Sequence, residues 1–129
     1  MAMKRAFISF DYDHDDELRD ALMGQAKNPK SPFTIADWSV KEPFEGNWQA
    51  KVRGRMRRTD LTIVICGEHT HTARGVGVEL AITQEERNPY FLLWGRPRGN
   101  CTKPAKAHSS DKIYEWTWEN LKNLIAGAR

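Results

Sequence analysis

The chain has 129 residues, of which 40% are hydrophobic and 29% charged, with a formal net charge of +3 at pH 7. This length and balance are typical of one globular domain, so we interpret residues 1–129 as a single domain and exclude a disordered or membrane-embedded chain. The small positive charge favours anionic partners only weakly.

Two further features concern the compartment. No apolar run approaches the ~20 residues that a membrane helix needs, and the first residues do not resemble a secretory signal. The two cysteines, Cys66 and Cys101, are not needed as a disulfide in a domain of this size. We therefore predict a cytoplasmic protein that has no membrane partner.

The densest basic run covers residues 51–58 and fits the solvated face of an amphipathic helix. No aromatic residues interleave with it, as they do in proteins that bind single-stranded nucleic acids. We therefore expect no nucleic-acid partner.

The first third of the chain predicts a strand, a helix and a second strand. Residues 7–10 form a short apolar run, and Asp13 in the acidic turn that follows can cap a helix. Apolar residues at helical spacing continue to Ala26, and Asn28-Pro29 ends the helix. Residues 33–36 then predict the second strand.

The middle of the chain predicts a loop, a helix and a third strand. Residues 41–46 form the loop, and Asn47 can cap a helix whose apolar residues recur every fourth position: Trp48, Val52 and Met56. Leu61–Cys66 is almost continuously apolar and β-branched, which indicates a strand that is covered on both faces.

The last part predicts two more helices and two more strands. Residues 76–83 have helical spacing, and Tyr90–Trp94 is the fourth strand. Residues 95–111 lack periodicity and predict an exposed loop, after which residues 113–114 form a short fifth strand. Thr117 can cap the final helix.

Alternation of strands and helices predicts an α/β fold with a parallel sheet between two helical layers. For five strands we predict the flavodoxin-like, doubly wound order 2-1-3-4-5. Ligands of such sheets bind at the carboxyl ends of the strands, near the switch between strands one and three. Residues 10–14, 37–46 and 67–74 should therefore meet around one site.

Several common chemistries do not fit these loops. A phospho-receiver needs an aspartate at the end of strand three, where this chain has Cys66-Gly67-Glu68, and no glycine-rich phosphate motif is present. His69 and His71 have no cysteine or carboxylate at ligand spacing, so we predict no metal site. No serine or cysteine elbow beside a histidine indicates a catalytic triad.

Glu79 is the remaining candidate. It lies in the third predicted helix between apolar neighbours, where a carboxylate is either a solvated bystander or a functional group. The residues alone leave both interpretations open.

Four segments carry a resemblance to a known family. They are residues 5–10 with the acidic turn after them, Asp37-Trp38-Ser39, residues 70–74 leading to Val78-Glu79-Leu80, and residues 113–121. Together they resemble the TIR-like domains of bacterial Thoeris anti-phage systems, over nearly the whole chain.

The resemblance implies a flavodoxin-like fold and an activity on NAD. Many members cleave NAD at the nicotinamide–ribose bond, giving ADP-ribose or a cyclic isomer that switches on a downstream effector protein, and many self-associate. NAD is then the substrate, and no cofactor is expected. The glutamate on which such enzymes depend corresponds to Glu79. The tryptophan that often precedes it by four residues is replaced by Gly75, and Trp38 or Trp48 is a candidate substitute.

We expect the substrate pocket to contain residues from the loops that meet at the strand ends. The candidates are Phe10, Asp11 and Trp38, with His69 and Arg74 facing the phosphates. Two other functions stay open: a non-catalytic TIR-like interaction module, and an enzyme similar to nucleoside deoxyribosyltransferases, which also uses a glutamate.

Overall fold

The computed structural model describes residues 3–39 and 47–127. Within these ranges the strands are β1 (Lys4–Ser9), β2 (Phe33–Trp38), β3 (Leu61–Cys66), β4 (Tyr90–Trp94) and β5 (Ile113–Glu115). The helices are α1 (Tyr12–Ala26), α2 (Trp48–Met56), α3 (Arg74–Glu85) and α4 (Trp118–Ile125), with a 3-10 turn at Thr70–Thr72. The loop predicted at residues 41–46 lies outside the described residues.

The five strands form one parallel sheet in the order β2-β1-β3-β4-β5, which confirms the predicted topology. The switch between β1 and β3 puts the carboxyl ends of these strands side by side. The segments that follow β1, β2 and β3 are therefore brought to the same edge of the sheet.

Successive side chains of β1 point to opposite faces of the sheet, as the two-residue period of a strand requires. Ala6 and Ile8 pack in the cluster that includes residues of α1 and α4, whereas Phe7 packs with α2 and with Ile82 of α3. Ser9 lies two residues after Phe7, so its side chain points to the same face of the sheet as that of Phe7. The strand therefore directs this hydroxyl toward the face that α3 covers.

The pairing of β1 with β2 shifts by one residue near the site. Ala6 pairs with Ile35, but the next residue, Phe7, pairs with Asp37, and Ile8 pairs with Trp38. A one-residue shift moves every later side chain to the opposite face. Trp38 consequently packs on the α1 side, and its neighbour Ser39 is placed next to α3.

Two details of α1 and the chain after β4 differ from expectation. The predicted cap, Asp13, is wrong: Asp11 is the N-cap and accepts a hydrogen bond from the Asp13 amide.

Residues 95–111 are exposed in part, but Gly95 and Pro104 are buried and Arg96 contacts α1. Thr117 caps α4 as predicted.

Both cysteines are free thiols; Cys66 is buried and Cys101 is partly buried. Among the helices of the described residues, none combines the length and apolar character that a membrane crossing needs.

Candidate functional site

A cavity of about 300 Å³ opens at the carboxyl edge of the sheet, between the ends of β1 and β2 and the start of α3. Its lining comes from residues 10–14, from Ser39 and Trp48, and from residues 72–76 together with Glu79. This is the place where the strand order predicts a ligand site.

Glu79 lies at the inner wall of the cavity and is only 2% exposed. The Ser9 hydroxyl donates a hydrogen bond of 2.6 Å to Oε1, and the Ser39 hydroxyl donates one of 2.5 Å to the same atom. No residue in the described ranges bonds Oε2. The two serines therefore fix the carboxyl group through one of its oxygens.

Burial raises the pKa of Glu79 to about 7, against an ordinary value of 4.5. The hydrogen bonds from Ser39 and Ser9 act in the opposite direction, as does the positive charge of Arg55. Removal from water disfavours the carboxylate form more than these groups favour it. Glu79 is thus a buried, hydrogen-bonded acid and not a solvated bystander.

The ends of two strands deliver the serines. Ser9 is the last residue of β1, and Ser39 follows β2 with its amide bonded to the Ile8 carbonyl. The Ser39 hydroxyl also accepts a hydrogen bond of 3.2 Å from the Phe10 amide. This contact ties the segment after β2 to the segment after β1 at the cavity floor.

The beginning of α1 supplies a second polar group to the cavity. One oxygen of Asp11, Oδ2, lies 2.7 Å from Nδ1 of His14, and the other caps the helix at the Asp13 amide. The His14 ring also stacks on His69, with a centroid separation of 4.1 Å. The imidazole is therefore held by a carboxylate at its edge and by a second ring on its face.

Arg96 braces this part of α1 from the segment after β4. Its guanidinium donates to the His14 carbonyl at 2.7 Å and to Oδ1 of buried Asp15 at 3.0 Å, and it also contacts Glu17. Burial raises the pKa of Asp15, and Arg96 counteracts that effect. Asp15 has non-helical backbone angles, so α1 is kinked where Arg96 holds it.

The structure brings four of the six predicted site residues together. Phe10, Asp11 and Arg74 line the cavity with Glu79. Trp38 does not line it, because the register shift places its ring 5.5 Å from the Arg19 guanidinium on the other face of the sheet. His69 does not line the cavity, but its ring stacks on that of His14, which does.

Sequence reasoning missed three lining or supporting side chains: Ser9, Ser39 and His14. Ser9 carried a usable signal, because it is a polar residue at the end of an otherwise apolar run. Trp48 was predicted both as an apolar residue of its helix and as a candidate substitute for the tryptophan absent at position 75; it packs with Val52 and also lines the cavity. It is therefore the tryptophan that the cavity contains among the described residues.

Gly75 also lines the cavity, and a Cβ built on it would meet no atom of the described residues within 4 Å, apart from those of its own helix. The wall has open space at this point. Among the described residues, no group of three or more His, Cys, Asp or Glu side chains is placed to hold a metal ion.

The comparison with known families decides the identity. Residues 7–96, well over half of the chain, match the family described as Thoeris protein ThsB, TIR-like domain. The chain belongs to this family. A search of curated proteins found no match. The TIR-like domain is therefore a TIR-type module of Thoeris defence, with the flavodoxin-like sheet described above.

Proposed function

We propose that this TIR-like domain cleaves NAD at the bond between nicotinamide and ribose, with Glu79 as the catalytic carboxylate. The observation that carries the proposal is the placement of Glu79: it is buried, fixed through Oε1 by two serines, and faces a cavity lined by aromatic side chains.

The chemistry of NAD suits a single acid. Nicotinamide leaves as a neutral molecule that takes the electron pair of the C–N bond, so the leaving group needs no proton. Positive charge develops at the ribose carbon in an oxocarbenium-like transition state. A carboxylate held beside that carbon stabilises the charge, and its effect is larger in a dry site than in water.

The surrounding residues match the remaining parts of the substrate. Tyr12, which is partly exposed, offers an aromatic surface on which a nicotinamide ring can stack, and the buried Phe10 and Trp48 complete the aromatic part of the wall. Arg74 stands at the first position of α3, where a cation and the positive end of the helix dipole both favour phosphate oxygens. A cavity of about 300 Å³ takes the nicotinamide–ribose end of the dinucleotide, with the diphosphate toward Arg74.

We infer that the product serves as a nucleotide signal to an effector within the same defence system. Water as the acceptor gives ADP-ribose, and a hydroxyl of the adenosine ribose gives a cyclic isomer. Assembly of several copies through TIR-like surfaces is part of this proposal, since such an arrangement would concentrate the sites.

The test is to incubate the purified protein with NAD at high protein concentration and to resolve the products by mass spectrometry. Glu79→Gln should lower nicotinamide release by about 100-fold or more, because glutamine keeps the shape but not the charge. Glu85→Gln is the matched control: it lies on the same helix, pairs with Arg53 and does not line the cavity. Equal activity of wild type and Glu79→Gln would refute the assignment.

One observation favours a second function: Gly75 stands where the family resemblance leads us to expect a tryptophan, and a Cβ at this position would meet no atom of the described residues outside its own helix. A TIR-like module that acts by binding alone would release no nicotinamide from NAD at any protein concentration, yet would form oligomers in sedimentation experiments. Base exchange on deoxynucleosides without NAD turnover would instead identify a deoxyribosyltransferase-like enzyme.

A further inference from the structure

An aspartate–histidine pair at the cavity has no role in the cleavage step proposed above. Asp11 and His14 both line the cavity, and their side chains meet with Oδ2 2.7 Å from Nδ1. The Asp11 side chain is 8% exposed and the His14 side chain 50%. One member of the pair is thus buried and the other reaches solvent.

The geometry defines which ring nitrogen is available. Asp11 is fixed as the N-cap of α1, and its contact assigns the proton of a neutral imidazole to Nδ1. No described residue hydrogen-bonds Nε2 of His14. The stack on His69 and the Arg96 bond to the His14 carbonyl restrict the ring and its backbone. In the neutral form of the imidazole, Nε2 therefore carries the lone pair, on a ring that these contacts already orient.

The second step of NAD cleavage needs a group that accepts a proton. After nicotinamide has left, a hydroxyl oxygen forms a bond to the ribosyl carbon with one of its lone pairs and must lose its proton. Glu79 is 2% exposed and is committed through Oε1 to two serines, whereas His14 can pass a proton on to water.

We propose that His14, oriented by Asp11, is the general base that accepts this proton. The O–H bond breaks, the O–C bond forms, and the proton moves to Nε2, where the Asp11 carboxylate stabilises the resulting imidazolium. The balance for hydrolysis is NAD plus water giving nicotinamide, ADP-ribose and a proton released to solvent. This inference rests on the proposed function and assigns a further catalytic residue to the same site.

A competing acceptor separates the base from a structural role. A pyridine such as 3-acetylpyridine attacks the ribosyl carbon with its ring nitrogen and has no proton to lose. Loss of the base should therefore impair hydrolysis much more than pyridine exchange. A residue that only shapes the cavity or binds NAD would affect the two reactions equally.

The experiment measures ADP-ribose and 3-acetylpyridine dinucleotide from the same reaction mixture of NAD, 3-acetylpyridine and full-length protein. His14→Gln should lower the ratio of hydrolysis to exchange by about 100-fold, the usual contribution of general base catalysis. His71→Gln is the matched control, because His71 bonds Thr102 and lies outside the cavity lining. Imidazole added to His14→Ala should restore part of the hydrolysis.

The other outcomes are informative. If the ratio of hydrolysis to exchange is unchanged in His14→Gln, whether both rates fall or neither does, the assignment of His14 as the base is wrong. The proposal that the protein cleaves NAD would still hold. If that variant fails to fold by circular dichroism, Asp11→Asn takes its place. It keeps a capping oxygen and should lower the ratio at least about 10-fold, since the imidazole loses its orienting carboxylate. Wild-type protein that shows neither reaction would overturn the proposed function, and the base with it.

Discussion

Replacing Glu79 with glutamine is expected to stabilise the fold above pH 7 while abolishing activity. The native structure raises the pKa of Glu79 to about 7, whereas the unfolded chain has an ordinary glutamate with a value of 4.5. Between these two values the unfolded state gives up its proton and the native state keeps it. Rising pH therefore favours unfolding through this window.

The magnitude follows from the two values. A tenfold change in proton affinity corresponds to about 1.4 kcal/mol, so the native state of the wild type loses about 3 kcal/mol by pH 8 through this one group. Glutamine carries no charge, and its carbonyl oxygen can accept the hydrogen bonds from Ser9 and Ser39. The variant therefore avoids this pH-dependent loss of stability and keeps both serine hydrogen bonds.

The assay is urea unfolding of both proteins at several pH values from 4.5 to 8.5. The difference in free energy of unfolding, variant minus wild type, should increase with pH by about 3 kcal/mol and level off above pH 7. Titration of every other group cancels in this difference. A difference that stays constant with pH would refute the reasoning, as would a variant that is less stable than wild type at pH 8.

Four further outcomes are expected. The kcat/KM for NAD should rise with pH around 7, because the proposed cleavage uses the carboxylate form of Glu79; a pH-rate profile measures this. Ser39→Ala should move that profile to higher pH, since the Ser39 hydrogen bond lowers the pKa of Glu79. A flat or unshifted profile would contradict the assignment. Gly95→Ala should destabilise the fold by about 1–3 kcal/mol, because its Cβ would approach the Cys66 carbonyl to 2.9 Å. Gly75→Ala, with open space around it, should be neutral or slightly stabilising in thermal melts.

The fold was predictable because the local signals agreed with the tertiary arrangement. Leu61–Cys66 is apolar at every position, and the structure buries all six residues between two helical layers. Proline after Asn28 and after Asn88 marked the ends of helices correctly to within a few residues. Asp13 was the wrong cap because several acids stand together in that turn, and composition does not distinguish them.

The site was less predictable because its geometry depends on long-range register. Trp38 was expected in the pocket from its loop alone, but a single-residue shift between β1 and β2 turns it to the far face. The same shift places Ser39 beside Glu79. No periodicity within residues 33–38 reports such a shift, since it is a property of strand pairing.

The serine contacts also connect the site to the way the chain folds. Ser9 and Ser39 are separated from Glu79 by 70 and 40 residues. During synthesis both hydroxyls emerge long before their acceptor, and a partly folded chain holds only an ordinary, solvated glutamate. The high proton affinity of this acid therefore depends on completed tertiary structure, and a misfolded copy would lack the buried acid with its two hydroxyl partners.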